Sequence, residues 1–299
     1  MTTEEAPSAP IEVVRTRVFP AGPGGGNPCP VVLNAANLSP EQMRAVAQRF
    51  GEESGFVVSE PSADVIVLRF FVPEHEMSMC VHATIACVAL LHARGRAPGP
   101  VVNVETGIGV LAVRRLAEGN ALPRLAVEQR VPEACTVIVN RDDVARVLRI
   151  APETIVGPVE SWSASRPKLI VRLAKRSDLS TLNPDWEAMW RLCERYETSG
   201  VYAFWADPES GELHARQFPV RAGYNEDAAT GVAAAALSGY LISQEPPNLP
   251  CTVHREIFQG AEMGRLSLLV THVAWDGDSI TGVTVEGSVV VDGVDIIPG

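Results

Sequence analysis

The chain has 299 residues, a formal net charge of −11, and 46% hydrophobic against 20% charged residues. That is enough for one large core or two medium ones. The acidic balance, with no cluster of Lys and Arg, excludes non-specific binding to nucleic acid or to an acidic membrane, because both need basic side chains gathered against phosphate.

The first ten residues, MTTEEAPSAP, lack the basic and apolar regions of a signal peptide, so residues 1–10 are expected to be disordered and the protein cytoplasmic. The six cysteines, at 29, 80, 87, 135, 193 and 251, form no Cys-x-x-Cys pair, which fits reduced thiols in such a compartment. Ile11 to Phe19 and Pro30 to Leu33 read as strands around the bend Ala21 to Pro28, AGPGGGNP. The bend lacks the Gly-Lys-Ser/Thr ending of a phosphate loop. Ser39 caps a helix with Pro40 at its first position and Gln42 three residues on, and Met43, Val46, Ala47 and Phe50 share a face up to Gly51. Glu52 and Glu53 follow, before the apolar run Phe56 to Val58. Taken alone, such an acidic pair reads as a solvated turn.

Val65 to Phe71 is a strand and Pro73 to Met79 a polar bend. Cys80, Val81 and His82 then stand at the mouth of a small-residue helix, Ala83 to Leu91, too short to cross a bilayer. A thiol and an imidazole thus sit where free backbone N–H groups and a helix dipole favour an anion. Val101 to Glu105 and Gly109 to Arg115 read as a strand pair, Gly119 to Pro123 as a turn and Arg124 to Gln129 as a strand, with a crossing near Arg130 to Glu133. Beyond it come a helix at Arg141 to Leu148, a strand at Lys168 to Leu173, and helical stretches at Asp178 to Leu182 and Pro184 to Cys193. The second helical stretch carries Trp186 and Trp190 at core spacing. Strands at Gly200 to Ala206 and His214 to Pro219 lead to a second turn and helix, Asn225 to Ile242. The tail, His254 to Val291, alternates strand and turn, and Asp276-Gly277 and Asp292-Gly293 read as hairpin turns.

A shift of 147 residues, 216 against 69, lays Arg216, Phe218, Ala233, Ala236 and Leu237 on Arg69, Phe71, Ala86, Ala89 and Leu90. Asp227 then falls on Cys80, and Thr230-Gly231 on Ala83-Thr84. The expected fold is α+β, two pseudo-symmetric lobes rich in antiparallel strands, each with one central helix, whose helix N-termini point into one cleft. The lobes are placed at 11–130 and 131–287, with 288–299 as a candidate last strand of the first.

Four ordered segments carry a family resemblance: Gly26-Asn27-Pro28 with Val31 to Leu33; Leu38-Ser39 through Glu53-Ser54-Gly55-Phe56-Val57; Arg69 to Glu74 with Val81-His82-Ala83-Thr84; and Asn225-Glu226-Asp227-Ala228-Ala229-Thr230-Gly231. Together they resemble the phenazine biosynthesis PhzF-like family of the diaminopimelate epimerase-like fold. The resemblance implies curved, mostly antiparallel sheets around each central helix, a site between the lobes and often a homodimer. It also implies cofactor-free proton transfer on a small carboxylate-bearing metabolite, in specialised, antibiotic-type biosynthesis. By motif position Glu53 is the base, assisted by His82 and Asp227, with Cys80 beside them and Glu52 left at the surface. Asn27, Val81, Ala83, Thr84, Ala229, Thr230 and Gly231 would line the substrate. Desolvation between lobes is expected to raise the carboxyl pKa of Glu53, and the helix N-terminus to lower the thiol pKa of Cys80. The family's Gly before the histidine is Val81 here, its Pro residues are Ala83 and Ala228, and its hydroxyl after Thr-Gly is Val232, changes expected to give an altered, less polar pocket.

Two other readings stand beside the isomerase: an amino-acid epimerase or dehydratase using Cys80 and Asp227, and a non-catalytic binding protein on the same fold. No metal is expected, since His82, Cys87 and His92 cannot converge from one helix.

Overall fold

The computed structural model describes residues 9–59, 65–97, 99–117 and 122–299. The expected disordered stretch 1–10 and turn Gly119 to Pro123 fall largely outside them. The first-half strands are β1 (Ile11–Val18), β2 (Asn27–Val32), β3 (Ser54–Ser59), β4 (Val65–Phe71), β5 (Glu76–Met77), β6 (Val101–Thr106), β7 (Gly109–Ala117) and β8 (Arg124–Gln129). The second-half strands are β9 (Glu133–Ala134), β10 (Glu160–Ser163), β11 (Lys168–Arg172), β12 (Gly200–Ala206), β13 (Leu213–Pro219), β14 (Cys251–Gln259), β15 (Ser267–Trp275) and β16 (Ile280–Gly287), and β17 (Val289–Ile297) follows. The helices are α1 (Pro40–Phe50), α2 (Val81–Ala93), α3 (Arg141–Leu148), α4 (Arg176–Ser180), α5 (Trp186–Arg195) and α6 (Gly231–Gln244).

Hydrogen bonding arranges one lobe as β17-β1-β2-β3-β4-β6-β7-β8, with β5 added to β4. The other lobe runs β16-β15-β14-β13-β12-β11-β10-β9. The pair β8 and β16 joins them. Most pairs are antiparallel. The parallel exceptions occur at matching places: β2 with β3 and β4 with β6 in one lobe, β11 with β12 and β13 with β14 in the other. Each exception spans a crossover that carries a helix, as a parallel connection requires. The expected repeat is therefore the architecture itself, but the 147-residue register holds only at β4 and β13: α2 and α6 begin 150 residues apart, 231 against 81, so the counterpart of Cys80 at the helix start is Thr230 rather than Asp227.

The longer helices fall into two kinds. α1, α3 and α5 are amphipathic and cover the outer sheet faces, with Met43, Val46 and Ala47 or Val144, Leu148, Met189 and Leu192 inward. α2 and α6 are buried on all sides from Val81 to Leu91 and from Gly231 to Tyr240, so they form the axis of each lobe. Small residues let strands lie close on them. A Cβ on Gly55 would stand 2.8 Å from Cys87 Sγ and 3.2 Å from Ala83 Cβ, so β3 can rest on α2 only with glycine there. That contact fixes the approach of Glu53, two residues earlier, to the start of α2.

The matching strands β4 and β13 carry the same clamp. Arg69 donates to both Glu76 oxygens at 2.7 and 2.6 Å and lies 5.2 Å over the Phe71 ring. Arg216 donates to both Glu226 oxygens at 2.8 and 2.7 Å and lies 5.0 Å over Phe218. Trp186 packs edge-on against Phe218 at 5.8 Å, but it and Trp190 are half-buried against the core rather than within it. No helix among the described residues is long and apolar enough to cross a membrane.

One of the two expected hairpin turns is not a turn. Asp276-Gly277 turns the chain between β15 and β16, with Asp276 Oδ1 accepting from the N–H groups of Asp278 and Ser279, but Asp292-Gly293 lies inside β17. Asp292 is the extra residue of a bulge opposite Arg15 and Thr16, held by Arg17 through both carboxylate oxygens. A dipeptide suited to a tight turn serves equally well at a bulge.

The two clamps differ in burial and so in expected worth. Arg216 also donates to the carbonyls of Leu179 and Leu182, and its side chain is 8% exposed, whereas the Arg69 side chain is 29% exposed. Arg216→Ala is expected to cost about 3 kcal/mol in urea unfolding, because it strands a buried carboxylate. Arg69→Ala should cost ~1 kcal/mol or less.

Candidate active site

The starts of α2 and α6 meet at the seam between the lobes. A Cβ on Gly231 would stand 2.5 Å from Val81 Cβ, so the first residues of the two helices are in contact and glycine is required on one side. Side-chain caps close α1 through Ser39, α3 through Asn140 and α5 through Asp185, but neither Cys80 nor Thr230 caps its helix with a side chain. The first turns of α2 and α6 hold no acidic residue either. Two positive helix ends thus converge with backbone donors unspent.

Glu53 leaves the left-handed cap at Gly51 and reaches this seam. Its Oε2 accepts from Cys80 Sγ at 3.1 Å and lies 3.5 Å from His82 Nδ1, which is itself 3.4 Å from the thiol. Its Oε1 accepts from the Tyr224 hydroxyl, which comes from the other lobe. Asp227 answers from the opposite side. Asn27 Nδ2, from β2, donates to Asp227 Oδ1 at 2.7 Å and to the Ala229 carbonyl at 2.9 Å, and Thr230 Oγ1 donates to Oδ2. Gln259 Nε2 donates to the Asp227 carbonyl at 2.7 Å and Tyr202 donates to Gln259 Oε1 at 3.0 Å, which fixes the Asp227 turn.

Protonation follows from these partners. Burial pushes the Glu53 carboxyl up, but the His82 ring, the Tyr224 and Cys80 hydrogen bonds and nearby Arg166 bring it below the ordinary glutamate value. The expected rise is therefore reversed, because the His82 ring and donors from both lobes together outweigh desolvation. Burial lowers the His82 imidazole, against the pull of Glu53. Burial, and then Glu53, push the Cys80 thiol well above its usual value, which overturns the expectation of a low-pKa thiolate. Burial and Glu53 also push Asp227 up to about 7, against Thr230, Asn27 and Lys168.

The other expected residues take definite places. Val81, Ala83, Thr84, Ala229 and Gly231 are all buried at the two helix starts. The Thr84 hydroxyl is committed to the Cys80 carbonyl at 2.8 Å. Glu52 is half-buried and paired across the lobes with Arg265 at 3.0 Å. Tyr224, Gln259 and Arg166 carry no motif that marks them; Tyr224 has only its place three residues before Asp227.

A buried acid–base cluster at the seam of two matched lobes defines the class: this is the diaminopimelate epimerase-like fold. The phenazine biosynthesis-like protein family, PhzC-PhzF, matches residues 16–293, and the chain belongs to that family, as an isomerase. It is 29% identical over 243 residues to the uncharacterized isomerase YfhB of Bacillus subtilis, covering 77% of this chain and 80% of that one. It is 26% identical to the trans-2,3-dihydro-3-hydroxyanthranilate isomerase of Pseudomonas fluorescens over 92% of this chain and 95% of that one. A PhzF-family crystal structure from Bacillus anthracis shares the fold with a TM-score of 0.87 at 22% identity, covering 97% of this chain and 99% of that one.

The helix contact is testable. Gly231→Ala should force the helix starts apart and cost roughly 1–3 kcal/mol, and Val81→Gly in the same chain should recover most of it in thermal unfolding. Asp227 gives a pH prediction. The fold prefers its neutral form, so the stability it contributes is full below about pH 3.8 and is lost as pH rises through about 7. Asp227→Asn removes that loss, and its stability gain over the parent should grow across this window to on the order of 2 kcal/mol at pH 8.

Proposed function

We propose that the protein is a cofactor-independent isomerase that moves a proton, and with it a double bond, within a small carboxylate-bearing metabolite, with Glu53 as the group that takes and returns the proton. The observation that carries this reading is the setting of Glu53: a carboxylate 3.5 Å from His82 Nδ1, hydrogen-bonded by donors from both lobes and held below its ordinary value, where two uncapped helix starts meet. An ionised carboxylate can accept a proton from carbon at once. The negative charge that develops on the substrate then lies against the free N–H groups of α2 and α6, and Arg166 is a nearby cation for its carboxylate. His82, with its Nδ1 beside Glu53 Oε2, can hold or relay the proton before it returns to another carbon of the same face. Asp227, titrating near neutrality, supplies the second proton-carrying group.

The epimerase reading asks Cys80 to act as a base. A thiol that donates to Glu53, and whose pKa burial raises, is poorly placed for that role. Val81 and Val232, both buried at the helix starts, narrow the site and remove a hydroxyl relative to the family pattern, which favours a less polar substrate. A setting in specialised biosynthesis and a homodimer are the remaining parts of the proposal.

The test is deuterium uptake from solvent, beginning with trans-2,3-dihydro-3-hydroxyanthranilate and followed by less polar dienyl carboxylates. Glu53→Gln should abolish exchange, a loss of at least ~10³-fold, while Cys80→Ser should retain it. The reverse pattern would establish the thiol mechanism and remove ours. Tyr224→Phe removes a donor to the charged form of Glu53, so the acid limb of its rate profile should move to higher pH.

A further inference from the structure

Cys80, Glu53 and His82 bring three different donor atoms to one point: a sulfur, a carboxylate oxygen and a ring nitrogen. Their separations are 3.1 Å from Cys80 Sγ to Glu53 Oε2, 3.4 Å from Sγ to His82 Nδ1 and 3.5 Å from Nδ1 to Oε2. A tetrahedral zinc ion with bonds of about 2.3 Å to sulfur and about 2.0 Å to nitrogen and oxygen requires donor-to-donor edges of about 3.3–3.5 Å. The triangle needs a few tenths of an ångström of adjustment, a longer sulfur–oxygen edge and a slightly shorter nitrogen–oxygen edge.

We propose that these three residues form a seat for a thiophilic divalent cation, zinc foremost. Charge supports it, since a thiolate, a carboxylate and a neutral imidazole balance the two positive charges of the ion. The thiol proton leaves to solvent as the sulfur–metal bond forms, so each ion bound releases one proton. The far oxygen of Glu53 keeps its Tyr224 hydrogen bond, the outer support that orients a ligating carboxylate. The fourth position faces the seam and is left for water or a substrate carboxylate. Helix spacing rules out Cys87 and His92 as partners of His82, and Cys87 is fully buried against Gly55; the ligand that completes the set is Glu53. On the reading of Glu53 as the base, the ion is no cofactor: it occupies the oxygen that must take the proton and shuts the enzyme off.

The experiment titrates tag-free protein with Co²⁺ and with Cd²⁺, following thiolate-to-metal absorption and proton release, and then displaces Co²⁺ with Zn²⁺. Expected are one ion, one proton and one thiolate band per chain. Cys80→Ser should lose the band and bind at least ~100-fold more weakly. Cys251→Ser, which removes the exposed thiol, should change neither. Glu53→Gln and His82→Asn should keep the band and weaken binding, which guards against a Cys80→Ser protein that fails to fold. A band that survives Cys80→Ser or vanishes with Cys251→Ser, or affinity unchanged in both Glu53→Gln and His82→Asn, would overturn the proposal. The bands report the seat alone. Inhibition of turnover by Zn²⁺ is read separately and bears on the base assignment.

Discussion

Two helices pressed together at their positive ends set the terms for the rest of this molecule. Val81 at the start of α2 touches Gly231 at the start of α6, and neither helix is capped by a side chain. Each such end behaves as roughly half a positive charge, worth about 0.3–1 kcal/mol to a nearby anion. Bringing two together is tolerable only if negative charge lies between them. Glu53 meets that condition. The other acid at the seam, Asp227, is then pushed toward neutrality by burial and by the charge already present. Two carboxyl groups of similar chemistry are thereby separated into a charged group and a protonatable one.

The same constraint explains why the contacts across the seam are reciprocal. Glu53 from one lobe receives Tyr224 from the other, Asp227 from the second lobe receives Asn27 from the first, and Glu52 takes Arg265. Each lobe finishes the hydrogen bonding of the other's acid. The lobes therefore behave as one site only when closed, and opening them strips a donor from each carboxylate. Burial is offset by donors that arrive with closure.

Much of this was legible in the chain. The strand, bend and small-residue helix around Cys80 and His82 announced a helix start with reactive side chains, and the shift that put Asp227 on Cys80 exposed the second. The structure adds a detail the shift contained: Arg69 over Phe71 and Arg216 over Phe218 are the same clamp in the same register. Glu53 was recoverable only through the family resemblance, since an acidic pair after a helix is ordinarily solvated. Tyr224 and Arg166 were out of reach, because each acts on a residue more than a hundred positions away and no local pattern records such a partner. The direction of the Glu53 pKa was misjudged because desolvation can be read from context, whereas how closely His82, Tyr224 and Cys80 approach the carboxylate cannot. The short strands β5, β9 and β10 carry too few residues to show a period.

The path of β17 has a consequence for how the molecule is made. This strand pairs with β1 along its whole length, from Ile11 with Ile297 to Val18 with Val289, although every strand of the other lobe precedes it in the chain. The second lobe is drawn from one uninterrupted stretch and can assemble as soon as that stretch leaves the ribosome. The first lobe waits, with the free edge of β1 open, until residues 289–297 have been synthesised. Birth order and folding order are thus inverted, and the half that emerges first is the one that most needs shielding from neighbouring chains.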